Sequence, residues 1–204
     1  MVERESAVEA EIAEAIARDG LAVVADFLPE IQVEALRTEC RRRDAEGLFR
    51  SAQVGRSSMR AERTEIRGDR TLWLDDVNAA AAEAPLRRAL ESLRVELNRA
   101  LFLGLFDLEM HYAIYPPGAA YQRHSDRFRG EADNVRILSC VFYLNESWSE
   151  GDGGALRIHR DQGALDVQPL GGTLVCFLAE RFEHEVLPAR RERLSVTGWF
   201  RARA

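Results

Sequence analysis

From residue 108 onward the chain is a succession of short β-branched and aromatic runs: LEMHYAIY (108–115), RILSCVFYL (136–144), GGALRIH (153–159), GALDVQPL (163–170), GTLVCFLA (172–179), FEHEVLPA (182–189) and RLSVTGWFRA (193–202). Gly, Asp, Pro and Asn separate them, the punctuation of strands joined by turns. Seven or eight such strands suggest a closed barrel or a double-sheet jelly roll. The half before them reads as helices. Val8, Ile12 and Ile16 recur four apart within residues 5–19, and Gly20 follows as a stop signal. LAVVADFL (21–28) suits a buried strand. Pro29 opens a second helix, in which Ile31, Leu36 and Cys40 fall on roughly one face. A third opens near Pro85, and Leu86, Leu90, Leu93, Leu97 and Leu101 give it the strongest helical period in the chain, with Gly104 just beyond. No linker or composition break divides the halves. The expectation is one α+β domain over 1–204, with helical support over about 1–107 and a β core over about 108–204.

Composition agrees with a soluble globular domain: 204 residues, 46% hydrophobic and 30% charged. That balance excludes disorder, collagen-like repeats and a disulfide scaffold. The net charge of −6 disfavours nucleic-acid partners and anionic membranes. All 28 basic residues are arginine, which reads as the codon usage of a GC-rich, bacterial genome. Cys40, Cys140 and Cys176 have no CxxC spacing, so reduced thiols in the cytoplasm are expected. The N-terminal MVERESAVEAEIAEAIARDG has neither the basic nor the apolar region of a signal peptide, and no apolar run approaches a membrane span. Residues 50–66, RSAQVGRSSMRAERTEI, are polar and aperiodic and read as a surface loop.

The four histidines are His111, His124, His159 and His184. His124 and Asp126 form an HxD pair, and on a strand residues i and i+2 share a face. His184 follows Asp126 by 58 residues, so a folded barrel can bring it alongside. Two histidines and a carboxylate are the facial triad of non-haem Fe(II) oxygenases. The HxD pair alone does not separate a ligand set from packed residues. The last strand adds weight: Arg193, Ser195, Thr197 and Trp199 share one face, while Leu194, Val196 and Phe200 take the other. A cationic, polar inner face suits the wall of a polar cavity; the alternative places Arg193 on a solvent face. His159 has no evident partner. His111 shares a face with Ala113 and Tyr115 and can point inward. Arg41–Arg43 and Arg190–Arg191 read as solvated faces, and Cys140 and Cys176 as buried strand residues.

VVADFLPE (23–30), EIRGDRTLWL (65–74), MHYAIYPPGAAYQRHSD (110–126), ILSCVFYLNESW (137–148), GGALRI (153–158) and HEVLPARRERLSVTGWF (184–200) follow in an order and spacing that covers nearly the whole chain. In this succession the sequence resembles the 2-oxoglutarate- and Fe(II)-dependent dioxygenases, in particular the prolyl-4-hydroxylase branch close to the hypoxia-inducible-factor prolyl hydroxylases. Two departures border the site: the segment between Tyr115 and His124 is one residue shorter than in the animal enzymes, and His111 stands where methionine is expected.

The resemblance implies a double-stranded β-helix of jelly-roll or cupin type, with iron held by His124, Asp126 and His184. It implies that Arg193 binds the distal carboxylate of 2-oxoglutarate, that Tyr143 and Tyr115 reach the same cosubstrate, and that Thr197 lies near the metal. Arg67, Asp69, Arg136 and Trp199 fit positions near the substrate, and residues 50–73 a lid over it. The implied reaction hydroxylates a prolyl residue of a protein, a translation factor or ribosomal protein first among candidates, while 2-oxoglutarate and dioxygen yield succinate and carbon dioxide. Ascorbate is a further candidate cofactor. A free amino acid or natural-product substrate, or a sensing module without turnover, are the competing expectations. The charges balance: Fe(II) +2, Asp126 −1, 2-oxoglutarate −2 and Arg193 +1 sum to zero, as a buried site favours.

Overall fold

A computed structural model describes residues 2–52, 66–127 and 135–203. The elements run α1 (Val2–Asp19), β1 (Leu21–Val24), α2 (Glu30–Ala45), β2 (Arg50–Ser51), β3 (Arg70–Leu74), α3 (Ala84–Leu101), β4 (Leu105–Tyr115), β5 (Tyr121–His124), β6 (Val135–Tyr143), β7 (Leu156–Arg160), β8 (Gly163–Val167), β9 (Leu174–Leu178), β10 (His184–Val186) and β11 (Arg193–Ala202). The strands form a seven-stranded sheet in the order β1-β9-β6-β11-β4-β3-β2 and a four-stranded sheet in the order β5-β10-β7-β8. Every pairing is antiparallel. This is the double-stranded β-helix expected from the sequence.

Alternation along the strands sorts side chains into two cores. On the outer face of the large sheet, Tyr112, Ile114, Leu138, Phe142, Leu194, Val196 and Phe200 pack with Ile12 and Ile16 of α1, Leu36 and Cys40 of α2 and the α3 leucines. Leu86, Leu90, Leu93 and Leu97 are each about 1% exposed or less. Each such leucine contributes roughly 1.5–3 kcal/mol relative to an exposed one, which is what binds the helical layer to the sheet. Gly198 keeps the centre of β11 bare on this face: a Cβ there would lie 2.8 Å from Met110 Cγ and 2.9 Å from the Glu109 carbonyl. The inner core lies between the sheets, where Ala113, Tyr115, Val141, Tyr143, Val175 and Phe177 meet Leu156, Ile158, Val167 and Val186.

Four expectations are corrected. Besides the expected strand β1, the first half also gives β2 and β3 to the large sheet, β3 pairing Trp73 with His111. Only the first half of LAVVADFL is strand, because the chain turns at Asp26, which takes a left-handed φ of 51°. On α2 the buried stripe is Val33, Leu36 and Cys40; Ile31 is 72% exposed, since five residues from Ile31 to Leu36 overshoot one helical turn. Arg43 is not on a solvated face either. It is buried between Glu39 (2.7 Å) and Glu83 (2.9 Å), its charge matched by carboxylates from two elements. No helix among the described residues is long and apolar enough to cross a membrane.

Candidate metal and cosubstrate site

His124, Asp126 and His184 come together between the two sheets, each offering a ligand atom within 4.8 Å of the others. The two histidines are register partners on the β5–β10 ladder, with ring centroids 4.2 Å apart. Asp126 lies two residues past the end of β5, in a bend. The HxD pair therefore converges because the chain bends after His124, not because both residues share a strand face. His124 Nε2 is 3.6 Å from Asp126 Oδ1, and His184 Nε2 is 3.4 Å from Asp126 Oδ2.

The backbone sets the tautomers. His124 Nδ1 donates to the Gln122 carbonyl at 2.8 Å, and His184 Nδ1 faces the Phe182 carbonyl at 3.4 Å. Each ring so oriented turns its Nε2 lone pair toward Asp126, the form a metal ligand needs. Burial lowers the His184 pKa to about 4, against the opposing pull of Asp126, so this imidazole is neutral near pH 7. Burial alone would raise Asp126, but His184 and His124 beside it hold the carboxyl far below the usual range. Ser139 Oγ, from β6 in the opposite sheet, donates to Asp126 Oδ2 at 2.7 Å. The sequence reading missed Ser139; no local pattern in RILSCVFYL marks it. A donor set of two imidazoles and one carboxylate fits Fe(II).

Beyond the triad, the wall is the inner face of β11 and its neighbours. Arg193 is 1% exposed, with its Nε donating to the Gly154 carbonyl at 3.0 Å. Its guanidinium carbon lies 5.1 Å from the Tyr115 ring centroid and 5.0 Å from that of Tyr143. Among the described residues no carboxylate pairs with Arg193. A buried, always-charged fork without a counter-ion is costly unless a guest supplies one. Among the described residues, four buried polar atoms on this same face also close no full hydrogen bond: His111 Nδ1, Tyr143 Oη, Ser195 Oγ and Trp199 Nε1. Burial raises the pKa of Tyr115 and of Tyr143, so both phenols stay protonated and can donate. The cavity is lined by the triad with Arg193, Tyr115, Thr197, Trp199, His111, Arg67 and Tyr121; Tyr143 stands behind it, beside the guanidinium. These residues fit a small dicarboxylate.

The rim holds the remaining expected residues. Arg67 forms a two-pronged pair with Asp69 (2.7 and 2.9 Å) and lies over the Tyr121 ring, which stacks on His124 at 3.6 Å. Arg67 and Asp69 thus brace the ligand-bearing strand. Arg136 lies 3.6 Å over the Trp199 ring and donates to Glu109 at 2.8 Å. His111 is inward and 1% exposed, between Trp73 (4.9 Å) and Trp199 (5.3 Å), with Arg67 Nη2 3.5 Å from its Nε2. His159 does have a partner, Glu185 at 3.0 Å on β10, away from the triad. Arg190 and Arg191 are exposed, and Cys140 and Cys176 are buried, as read from sequence. Of the expected lid, residues 53–65 lie outside the described residues.

Known proteins share this fold. Residues 110–201 match the family model of the 2OG-Fe(II) oxygenase superfamily. A crystal structure of a Pseudomonas putida prolyl-4-hydroxylase is 47% identical, covering 96% of this chain and 100% of that one, with a TM-score of 0.86. A Trichoplax adhaerens prolyl hydroxylase, solved with a hypoxia-inducible-factor peptide fragment, is 23% identical with a TM-score of 0.89, covering 98% of this chain and 91% of that one. The hypoxia-inducible factor prolyl hydroxylase of Caenorhabditis elegans is 29% identical over 194 residues; the match covers 89% of this chain and spans about a quarter (26%) of that longer protein. By fold, by donor set and by these likenesses, the chain belongs to the 2OG-Fe(II) oxygenase superfamily, with prolyl hydroxylases among its relatives.

Proposed function

We propose that this protein hydroxylates a prolyl residue of a polypeptide, with His124, Asp126 and His184 holding Fe(II) and with 2-oxoglutarate and dioxygen as cosubstrates. The observation that carries the reading is Arg193, a fully buried guanidinium without a carboxylate partner among the described residues, on the same cavity wall as the triad. Bound iron and 2-oxoglutarate supply the oxidising power, with the keto acid leaving as succinate and carbon dioxide. The chain's own residues do the rest. The Gly154 carbonyl pins Nε of Arg193, leaving the terminal nitrogens to form a paired contact with the distal carboxylate. Tyr143 donates its unpaired hydroxyl to the same group, and Tyr115 closes the other side of the guanidinium. Trp199 and Arg136 form the stacked wall against which a prolyl ring is aimed, so that one C–H bond is presented. The inner core between the sheets keeps water from this end of the site.

A polypeptide substrate is favoured by the Trichoplax relative, whose structure holds a peptide, and by Trp73, half exposed beside the stacked rim where a chain can lie. Purified protein with Fe(II) and 2-oxoglutarate is expected to release succinate in the presence of proline-containing peptides. Host proteins, translation factors first, are expected to gain the mass of one oxygen atom on proline, a mark absent with Asp126→Ala. Turnover of free proline as efficient as that of any peptide refutes the polypeptide assignment, and the absence of succinate release with every substrate refutes the enzyme assignment.

A further inference from the structure

We propose that Ser139 is a positioning residue for the metal site: its hydroxyl holds Asp126 to ligation through one oxygen, which keeps three coordination positions free. The inference rests on the reading of His124, Asp126 and His184 as the iron ligands, and it adds the residue that decides how the carboxylate binds.

Asp126 lies beyond β5, so no ladder hydrogen bonds fix its orientation. What fixes it comes from the other sheet. Ser139 is fully buried on β6, and its Oγ donates to Asp126 Oδ2 at 2.7 Å. A hydroxyl bonded to an ionised carboxylate in a dry interior is among the stronger hydrogen bonds, and it ties up the lone pair that points at it. Trp199, the register partner of Ser139 on β11, turns its indole N–H toward the same carboxylate without closing a full hydrogen bond. With Oδ2 engaged, Oδ1 is the oxygen left to ligate.

The count of positions gives this contact its consequence. A six-coordinate metal with two imidazoles and one carboxylate oxygen keeps three positions. A keto acid that bound through its carboxylate and carbonyl would take two, and one would stay open. A carboxylate swung round to ligate through both oxygens removes that last position, or competes with the keto acid. Ser139 opposes the swing, because engaging Oδ2 with metal requires breaking its hydrogen bond and stranding a buried hydroxyl.

The test uses Co(II), which reports ligation by its visible spectrum, added to the whole metal-free protein and followed by titration with 2-oxoglutarate. Ser139→Ala is expected to bind Co(II) about 10- to 100-fold more weakly, with an altered spectrum, and its Co(II) form is expected to bind 2-oxoglutarate more weakly. Ser139→Thr, which restores the hydroxyl, is expected to recover both readouts. Should Ser139→Ala not fold, Ser139→Val against Ser139→Thr makes the same comparison at nearly equal volume. A folded Ser139→Ala or Ser139→Val with wild-type Co(II) affinity and spectrum overturns the inference, even if its metal-free form is less stable, because the hydroxyl is then structural only. Wild-type protein that binds no Co(II) is a different failure: it overturns the triad reading itself.

Discussion

His124 and His184 stand directly opposite one another on the antiparallel β5–β10 ladder, so the separation of these two imidazoles is set by a strand pairing rather than by a loop. Replacing either histidine leaves that pairing in place. His124→Ala and Asp126→Ala are therefore expected to stay folded, with near-wild-type circular dichroism, while losing iron-dependent succinate release. Normal turnover in His124→Ala refutes the triad.

Arg193 gives an opposed pair of outcomes. Without a guest its buried charge has no counter-ion among the described residues, so Arg193→Met is expected to leave the metal-free protein as stable as wild type, or more so, in denaturant unfolding. With the guest the sign reverses. Removing the fork costs about 3 kcal/mol of 2-oxoglutarate binding, roughly a 100-fold weaker affinity. Saturating 2-oxoglutarate at about 100 times Kd should stabilise the wild type by about 2.7 kcal/mol and the variant hardly at all. Equal ligand stabilisation of both proteins excludes Arg193 as the anchor.

Gly154 supports that anchor from behind. It takes a φ of +73°, and a Cβ there would lie 2.9 Å from Ala189 Cβ and 3.4 Å from Arg193 Cδ. Gly154→Ala is expected to cost about 1–2 kcal/mol of stability from the left-handed backbone. It is also expected to weaken 2-oxoglutarate binding by displacing the guanidinium, while Co(II) affinity stays unchanged. Calorimetry with each ligand separates the two effects.

The buried histidines set the acid limb of stability in the metal-free protein. Burial is the main cause that holds His111 well below its ordinary 6.5, with the Arg67 and Arg136 charges adding to it. His184 is held near 4. The unfolded chain takes up protons below pH 6.5 that the folded chain refuses. Stability is therefore full above that pH and falls as the pH drops toward the folded values. One such histidine contributes a slope of up to about 1.4 kcal/mol per pH unit. His111→Met is expected to make the decline from pH 6 to pH 5 shallower by up to that amount. An unchanged slope in urea unfolding rejects the assignment.

How much of this was legible in the sequence follows from where each signal resides. The alternation of Arg193, Ser195, Thr197 and Trp199 against Leu194, Val196 and Phe200 is local, and it named both faces of β11. The α3 leucines are local too, and they marked the helix that packs on the sheet. Ser139 was illegible because its partner, Asp126, lies 13 residues away, in the bend after a strand of the other sheet. Arg43 was misread because the carboxylate that helps bury it, Glu83, belongs to a segment forty residues later. Glu185, which pairs with His159, is a neighbour only through the β7–β10 ladder. The convergence of His124 with Asp126 was expected for a reason the fold does not use, because strand periodicity ends at His124.

The full-length pairing of β11 has one more effect. Arg193 and Trp199 sit six residues apart on one strand, and that strand is hydrogen-bonded to β4, to β6 or to both throughout. Their separation along the strand, about 20 Å at 3.3 Å per residue, is thus as inextensible as a machinist's gauge block. The proposed anchor of the cosubstrate and the proposed wall for the prolyl ring therefore keep a constant spacing, set by the stiffest piece of the protein rather than by any part that moves.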